Sequence, residues 1–283
     1  MSRILGGIGI AHTPSMGYQF DKGLAKGVQG GFDPKWQPWY DGTLPVKAWL
    51  SELQASHIVI IYNDHMNYFD LKAYPTFAIG MAERFPQADE GYGLRPFPGM
   101  DGDPEFSWPI ARSLVRDGFD LTFCQELELD HGVYSWLPYI MDPPWPFKVL
   151  PIAVNMLMHP VPTPQRLRQL GTSLRRALLD DGRDARVVVL ATGGMSHQIH
   201  GTRFGLTNEK WDRYFLDAIE KNMEELIAIP MEKIMQAAGT EAAELSMWYA
   251  MRAALHPDAQ THYSFYTLPA VTGCGVIALD EPR

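Results

Sequence analysis

The sequence predicts an α/β fold, a central mixed β-sheet flanked by helices, with long loops around the active site. Short runs dense in β-branched and apolar residues recur along the chain, patterns of helical period lie between them, and two further strand-like runs follow a long helical block. Taken in order, residues 4–10 and 58–62 read as buried strands, because each is a near-continuous apolar run. Residues 108–115 read as a helix behind the acidic start Pro104-Glu105, and 121–123 as a short strand. Residues 149–154 read as a strand, followed by a helix over 164–179 with Thr163 as N-cap and proline in the first turn. After a strand at 187–190, residues 210–255 are helical in pattern with breaks at Pro230 and Gly239. Runs at 263–268 and 275–279 return the chain to the sheet. Residues 18–40 and 89–103 are rich in Gly, Pro and aromatics and read as long functional or interface-forming loops. No repeat interrupts this order, so 1–283 is expected to be one domain.

Composition excludes several classes. A formal net charge of −9, with no basic run interleaved with aromatics, argues against binding nucleic acid. The apolar stretch around 149–158 is broken by Pro151 and Asn155, too short to span a bilayer, so no membrane is expected. Two distant cysteines, Cys124 and Cys274, do not make a secreted disulfide framework. With no signal-peptide pattern at the N-terminus, a soluble cytoplasmic protein is expected. Eight tryptophans within an aromatic content of 12% suit a well-filled core with subunit interfaces, or a pocket for a flat substrate.

Four residues carry the chemistry. His12 follows the first strand and precedes Thr13-Pro14. Standing alone it is either a hydrogen-bonded structural residue or a ligand beyond a carboxyl strand end. The glycines before it match a dinucleotide loop only loosely, so a nucleotide fingerprint is rejected. The second strand runs into Asn63-Asp64-His65, where a carboxylate beside an imidazole suits a metal ligand with its tautomer fixed by the acid. The strand at 187–190 leads through Gly193-Gly194 to His197, a third histidine just past a strand end. Glu244 lies among apolar neighbours, and a glutamate turned inward needs a cation. Two histidines and one carboxylate with open positions form the facial arrangement of non-haem Fe(II), and the same set also suits catalytic zinc. His131, in Asp130-His131-Gly132, reads as a substrate contact or a residue behind the ligands. His57, His159, His200, His256 and His262 have no pattern beyond structural or surface roles.

These blocks are recognisable together. The chain resembles the class III extradiol ring-cleaving dioxygenases, the family of the protocatechuate 4,5-dioxygenase β subunit and the gallate dioxygenases, through nearly its whole length. The resemblance is carried by Gly7-Ile8-Gly9 to His12-Thr13-Pro14, Tyr62-Asn63-Asp64-His65, and Pro75-Thr76-Phe77-Ala78-Ile79-Gly80. It continues through Ala88-Asp89-Glu90-Gly91, Asp130-His131-Gly132, Gly193-Gly194-Met195-Ser196-His197-Gln198, and Glu244-Leu245-Ser246-Met247-Trp248 with Met251-Arg252. It implies Fe(II) held by His12, His65 and Glu244, with His197 as catalytic acid/base and His131 as an active-site histidine of the second sphere. The implied reaction is extradiol cleavage of a catecholic substrate, inserting both atoms of O₂.

Where the protocatechuate enzyme has a serine that helps bind the substrate carboxylate, this chain has Val271, which cannot hydrogen-bond it. Thr272 is the neighbouring hydroxyl that could compensate, so Val271 and Thr272 are the expected substrate contacts. Two-subunit members of the family add a small helical α subunit over the active site, and single-chain gallate enzymes fuse an equivalent region. This chain ends at Arg283, and the expectation is a separate small α subunit or a homodimer that supplies the lid. The alternatives are a zinc-dependent hydrolase or lyase, or a non-catalytic binding protein on the same scaffold.

Overall fold

The computed structural model describes residues 2–23 and 31–282. Its strands are β1 (Arg3–Ile10), β2 (His57–Tyr62), β3 (Phe77–Gly80), β4 (Arg84–Phe85), β5 (Met100–Asp101), β6 (Thr122–Cys124), β7 (Lys148–Val154), β8 (Arg186–Thr192), β9 (Gln260–Thr267) and β10 (Cys274–Asp280). Eight of them form one sheet in the order β6-β3-β7-β2-β8-β1-β10-β9, while β4 and β5 pair separately. The centre, β7-β2-β8-β1, is parallel. β3 joins one side antiparallel to β7, and the β9–β10 hairpin joins the other antiparallel to β1. The sheet is therefore mixed, as predicted.

The central strands are apolar throughout because helices cover both faces. Val59 and Ile61 of β2 enter one core, and Ile58, Ile60 and Tyr62 enter the other. The first core is closed by α3 (Pro104–Arg116), α6 (Pro164–Asp180), α7 (Glu209–Lys221) and α10 (Met247–Ala254), through residues such as Ile110, Leu170, Phe215 and Trp248. The second is closed by α2 (Gln37–Leu53), α4 (His131–Tyr134) and α5 (Leu137–Ile140), through Trp39, Val133 and Leu137. Gly7 and Gly9 belong to β1 and make room for α10. A Cβ on Gly9 would lie 2.3 Å from the Trp248 ring, and one on Gly7 2.7 Å from Met251 Sδ.

Thr163 caps α6 as expected, its Oγ1 accepting from the Arg166 N–H at 3.2 Å. The 210–255 block divides into α7, α8 (Met223–Ile227), α9 (Met231–Ala238), a 3-10 turn (Glu241–Ser246) and α10, with Pro230 and Gly239 at the breaks. The long loop expected over 18–40 is largely a correction. α1 (Pro14–Asp21) runs into it, and a 3-10 turn (Pro34–Trp36) leads into α2. Residues 24–30 of that stretch lie outside the described residues. Gly42 and Pro45 hid α2, although Trp39, Val46, Trp49 and Leu50 bury one helical stripe. Residues 89–103 are irregular apart from β5. Both cysteines are free and buried, and no described helix is long and apolar enough to cross a membrane.

The order β2-β8-β1 makes three parallel strands neighbours, so their carboxyl ends open on one crevice. β10 runs antiparallel to β1, which brings the turn before Cys274 to the same end. This is where the candidate residues meet.

Candidate active site

His12 leaves the end of β1 and is 3% exposed. Its Nδ1 hydrogen-bonds Thr192 Oγ1, at the end of neighbouring β8, at 3.0 Å. His65 lies three residues past β2, with Nδ1 on Asp130 Oδ2 at 2.9 Å, and its backbone N–H donates to the same oxygen at 2.7 Å. Asp130 therefore holds His65 by one bond to the ring and one to the backbone, and turns Nε2 away from itself. The carboxylate expected for this role from the sequence was the adjacent Asp64. That side chain instead accepts the backbone N–H groups of Asn67, Tyr68 and Phe69, closing the turn after the strand.

Glu244 comes from the 3-10 turn before α10 and is also 3% exposed. Its Oε1 accepts from Asn63 Nδ2 at 3.1 Å, and its Oε2 accepts from the Gly194 N–H at 3.0 Å. Oε2 lies 3.1 Å from His12 Nε2, and Oε1 lies 3.6 Å from His65 Nε2. His12 Nε2 is nevertheless buried without a hydrogen bond. Burial of an unsatisfied ring nitrogen is costly, and a cation bound by that nitrogen, His65 Nε2 and the carboxylate would remove the cost. His12, His65 and Glu244 thus fit a metal, as an N,N,O set with open positions.

His131 is nearer to this group than expected. His12, His65 and His131 each offer a ring nitrogen within 4.8 Å of the others. The rings of His65 and His131 lie with centroids 3.8 Å apart. Glu90 clamps His131 as Asp130 clamps His65, with Oε1 2.5 Å from Nδ1 and Oε2 accepting the backbone N–H at 2.9 Å. Asn67 Nδ2 donates to Asp130 Oδ2 at 3.1 Å and ties the clamps together.

The charges follow from burial and pairing. Burial pushes His12 down to about 4 against the pull of Glu244, so it is neutral at pH 7. Burial alone would raise Glu244, but the His12 and His65 contacts hold it well below the usual carboxylate range. Burial would lower His65, yet Asp130 and Glu244 outweigh it and raise it to about 10. Asp130 is likewise held low by His65 in spite of its burial. In the metal-free protein protonated His65 is thus the cation that Asp130 and Glu244 face, and a metal bound at its Nε2 would take the place of that proton.

His197 lies on the loop after β8, and its Nδ1–H donates to the Met195 carbonyl at 2.7 Å. A carbonyl can only accept, so in the neutral ring Nε2 is the nitrogen with the free lone pair. Gly194 separates His197 from Glu244. Its N–H donates to the carboxylate, and a Cβ there would lie 2.5 Å from His197 Cε1. Thr272 is buried and its backbone bridges that of His197, while Val271 beside it is 42% exposed. All the residues singled out in the sequence therefore come to one end of the sheet. Reasoning from local pattern missed Glu90, Asn63 and Asp130 as supports, although all three stand in quoted motifs. Arg252, also in a quoted motif, binds the His256 and Pro257 carbonyls at the end of α10, a structural place.

A family model described as the catalytic LigB subunit of aromatic ring-opening dioxygenase matches residues 6–276. Gallate dioxygenase of Pseudomonas putida is 36% identical over 196 residues, covering 69% of this chain and 58% of that protein. The chain therefore aligns with little more than half of that relative's length. A 2,3-dihydroxyphenylpropionate/2,3-dihydroxicinnamic acid 1,2-dioxygenase, also of Pseudomonas putida, is 25% identical over 298 aligned positions, 87% of this chain and 88% of the relative. Among solved structures, an uncharacterized protein from Escherichia coli K12 superposes with TM-score 0.54 over 97% of this chain and 99% of its own, at 12% identity, a likeness of fold alone.

Proposed function

The chain belongs to the family of catalytic LigB subunits of aromatic ring-opening dioxygenases, and on that premise we propose that it cleaves a catechol-type ring beside its diol, with Fe(II) held by His12, His65 and Glu244. One observation carries the metal reading: a buried His12 Nε2 that hydrogen-bonds nothing, 3.1 Å from a buried carboxylate. The iron, when bound, supplies the centre at which the two catechol oxygens and O₂ meet and lowers the pKa of a coordinated hydroxyl.

The chain's own residues do the rest. Thr192 and Asp130 orient the two imidazoles, and Asn63 and the Gly194 N–H orient Glu244. His197, with Nδ1–H committed to Met195, offers Nε2 as the base that takes a substrate proton and later returns one. His131, held by Glu90, stands ready as a contact for substrate or oxygen. The named relatives act on gallate and on 2,3-dihydroxyphenylpropionate, which supports a catechol bearing a polar substituent. Val271 and Thr272 are assigned to that substituent's side, with Thr272 the only hydroxyl of the two.

A cover over the site is part of the reading. Tyr18, Met66, Tyr92, Leu94, Ile199 and Phe204 are exposed apolar residues on segments around this end of the sheet, and a small α subunit or a second copy would bury them. The buried free thiols suit a reducing compartment such as the cytoplasm. The experiment is anaerobic loading with Fe(II), then O₂ uptake with catechol, protocatechuate, gallate and 3-O-methylgallate. Ring-cleaved product with stoichiometric O₂ uptake is expected; turnover with zinc and none with iron would sink the proposal. Light scattering on the active species tests the cover, and a fully active lone monomer would refute it.

A further inference from the structure

Beneath His197 lies a buried carboxylate that the proposed chemistry does not use. Asp212 of α7 is fully buried and accepts three bonds: from the Ser196 N–H at 2.8 Å, the Ser196 hydroxyl at 2.6 Å and the Tyr266 hydroxyl at 2.9 Å. The Ser196 oxygen in turn accepts from the Asn208 N–H at 2.6 Å. The turn before β10 lies directly on the carboxylate, because a Cβ on Gly273 would sit 2.3 Å from Asp212 Oδ2. Gly273 then pairs with the loop below His197, its carbonyl accepting from the Met195 N–H at 3.1 Å and its N–H donating to the Ser196 carbonyl at 3.0 Å. Met195 is the residue whose carbonyl holds His197 Nδ1.

We infer that Asp212 is a positioning residue for His197, fixing through Ser196 and Gly273 the carbonyl that selects the tautomer and direction of the imidazole. The inference rests on the reading of His197 as acid/base. Every group that meets Asp212 is a donor, so an acceptor-only carboxylate satisfies all of them, whereas an amide would turn an N–H toward at least one. Burying a carboxylate is costly, and the donors offset that cost while holding four chain segments in one geometry. Burial pushes the Asp212 carboxyl up, and the Ser196 and Tyr266 bonds oppose the rise.

The test uses the Fe(II)-loaded protein, with whichever of catechol, protocatechuate, gallate and 3-O-methylgallate turns over fastest. Asp212→Asn should retain the metal and hold KM within about twofold while kcat falls about 10- to 100-fold, the scale of general-base geometry lost. In a His197→Gln background the same substitution should cost less than about twofold, since residues acting as a unit are not additive. An equal factor on both backgrounds, or no loss in either, overturns the inference. Tyr266→Phe removes one donor and leaves both Ser196 bonds; if Asp212→Asn does not fold, its smaller kcat loss should vanish on the same background. A readout free of turnover is ¹⁵N NMR of histidine-labelled, Zn(II)-loaded protein. A fixed Nδ1–H tautomer at His197 should become a mixture in Asp212→Asn, and an unchanged signal overturns the inference. If His197→Gln alone leaves kcat intact, the functional reading fails while the NMR result still decides the positioning.

Discussion

Strand β2 has a histidine at each end, and the two are treated differently. At its amino end His57 lies in a cleft of about 790 Å³ with both ring nitrogens engaged, Nδ1 with Ser56 Oγ at 2.9 Å and Nε2 with Asp103 Oδ2 at 3.3 Å. Lys148 and Arg183 balance Asp103, so this end is closed in charge and in hydrogen bonds. At its carboxyl end His65 also has a carboxylate on Nδ1, but its Nε2 converges with a hydrogen-bond-free His12 Nε2 on Glu244. A histidine–aspartate pair is therefore not in itself a sign of chemistry. What distinguishes the site is one buried ring nitrogen, His12 Nε2, left without a hydrogen bond beside a buried carboxylate, where His57 has both of its nitrogens satisfied.

The comparison breaks if the two ends respond alike to substitution. The largest difference expected is between Glu244→Ala and His57→Gln. The first should lose bound iron, read by elemental analysis, and lower turnover by about 10³-fold or more, because a metal supplies several kcal/mol at the reacting centre. The second should keep both metal content and turnover within about twofold. An active, iron-replete Glu244→Ala would remove Glu244 from the metal set. Next comes His197→Phe, expected to keep the metal while kcat falls about 10²- to 10⁴-fold, the range of general acid/base catalysis. Full turnover in that variant would leave the loop after β8 without a catalytic part.

A smaller effect sharpens the role of the clamps. Asp130→Asn keeps the shape behind His65 but weakens the acceptor for Nδ1–H, and metal affinity should fall about 10- to 100-fold, as for other residues behind metal ligands. Competition with a chelator measures it. An affinity equal to wild type would make Asp130 only a turn residue like Asp64.

Much of this was legible in the sequence, for definite reasons. β1, β2, β7 and β8 are covered on both faces, so they stand out as apolar runs, and each histidine or glycine just past such a run marks a strand end. His12, His65 and His197 were visible on that ground and Glu244 as a lone acid among apolar neighbours, and the family match gives the resemblance independent support. β3 escaped because Ala78 and Gly80, residues depleted in strands, make up half of its four positions. α2 escaped because Gly42 and Pro45 interrupt its composition. The pairings of Asp130 with His65, Glu90 with His131 and Asp212 with Ser196 could not be read, since they join residues 65, 41 and 16 positions apart whose meeting depends on the packed fold. Asp64 shows the hazard: the carboxylate next in sequence to His65 serves the backbone, and the one that serves the ring comes from far along the chain.

The smallest effect belongs to the closed end, and it concerns stability rather than turnover. Burial lowers His57 below its ordinary value despite the opposing Asp103 contact. Burial would raise Asp103, but its bonds with His57, the Phe106 N–H and Lys148 outweigh that and lower it. For both groups the unfolded chain binds a proton more readily than the folded one. Stability tied to His57 is therefore present above pH about 6.5 and is lost as pH falls below it, and that tied to Asp103 is lost as pH falls below about 3.8. His12 acts in the same direction in the metal-free protein, so the wild-type acid limb alone does not isolate His57. The difference from His57→Gln does. Urea unfolding of both metal-free proteins at pH 7.5 and 5.0 should show a shallower loss in the variant, by on the order of 1 kcal/mol or less, the scale of partly exposed pairs. Parallel losses in the two proteins would mean that His57 does not couple folding to pH, and the contrast between the ends of β2 would then rest on the metal side alone.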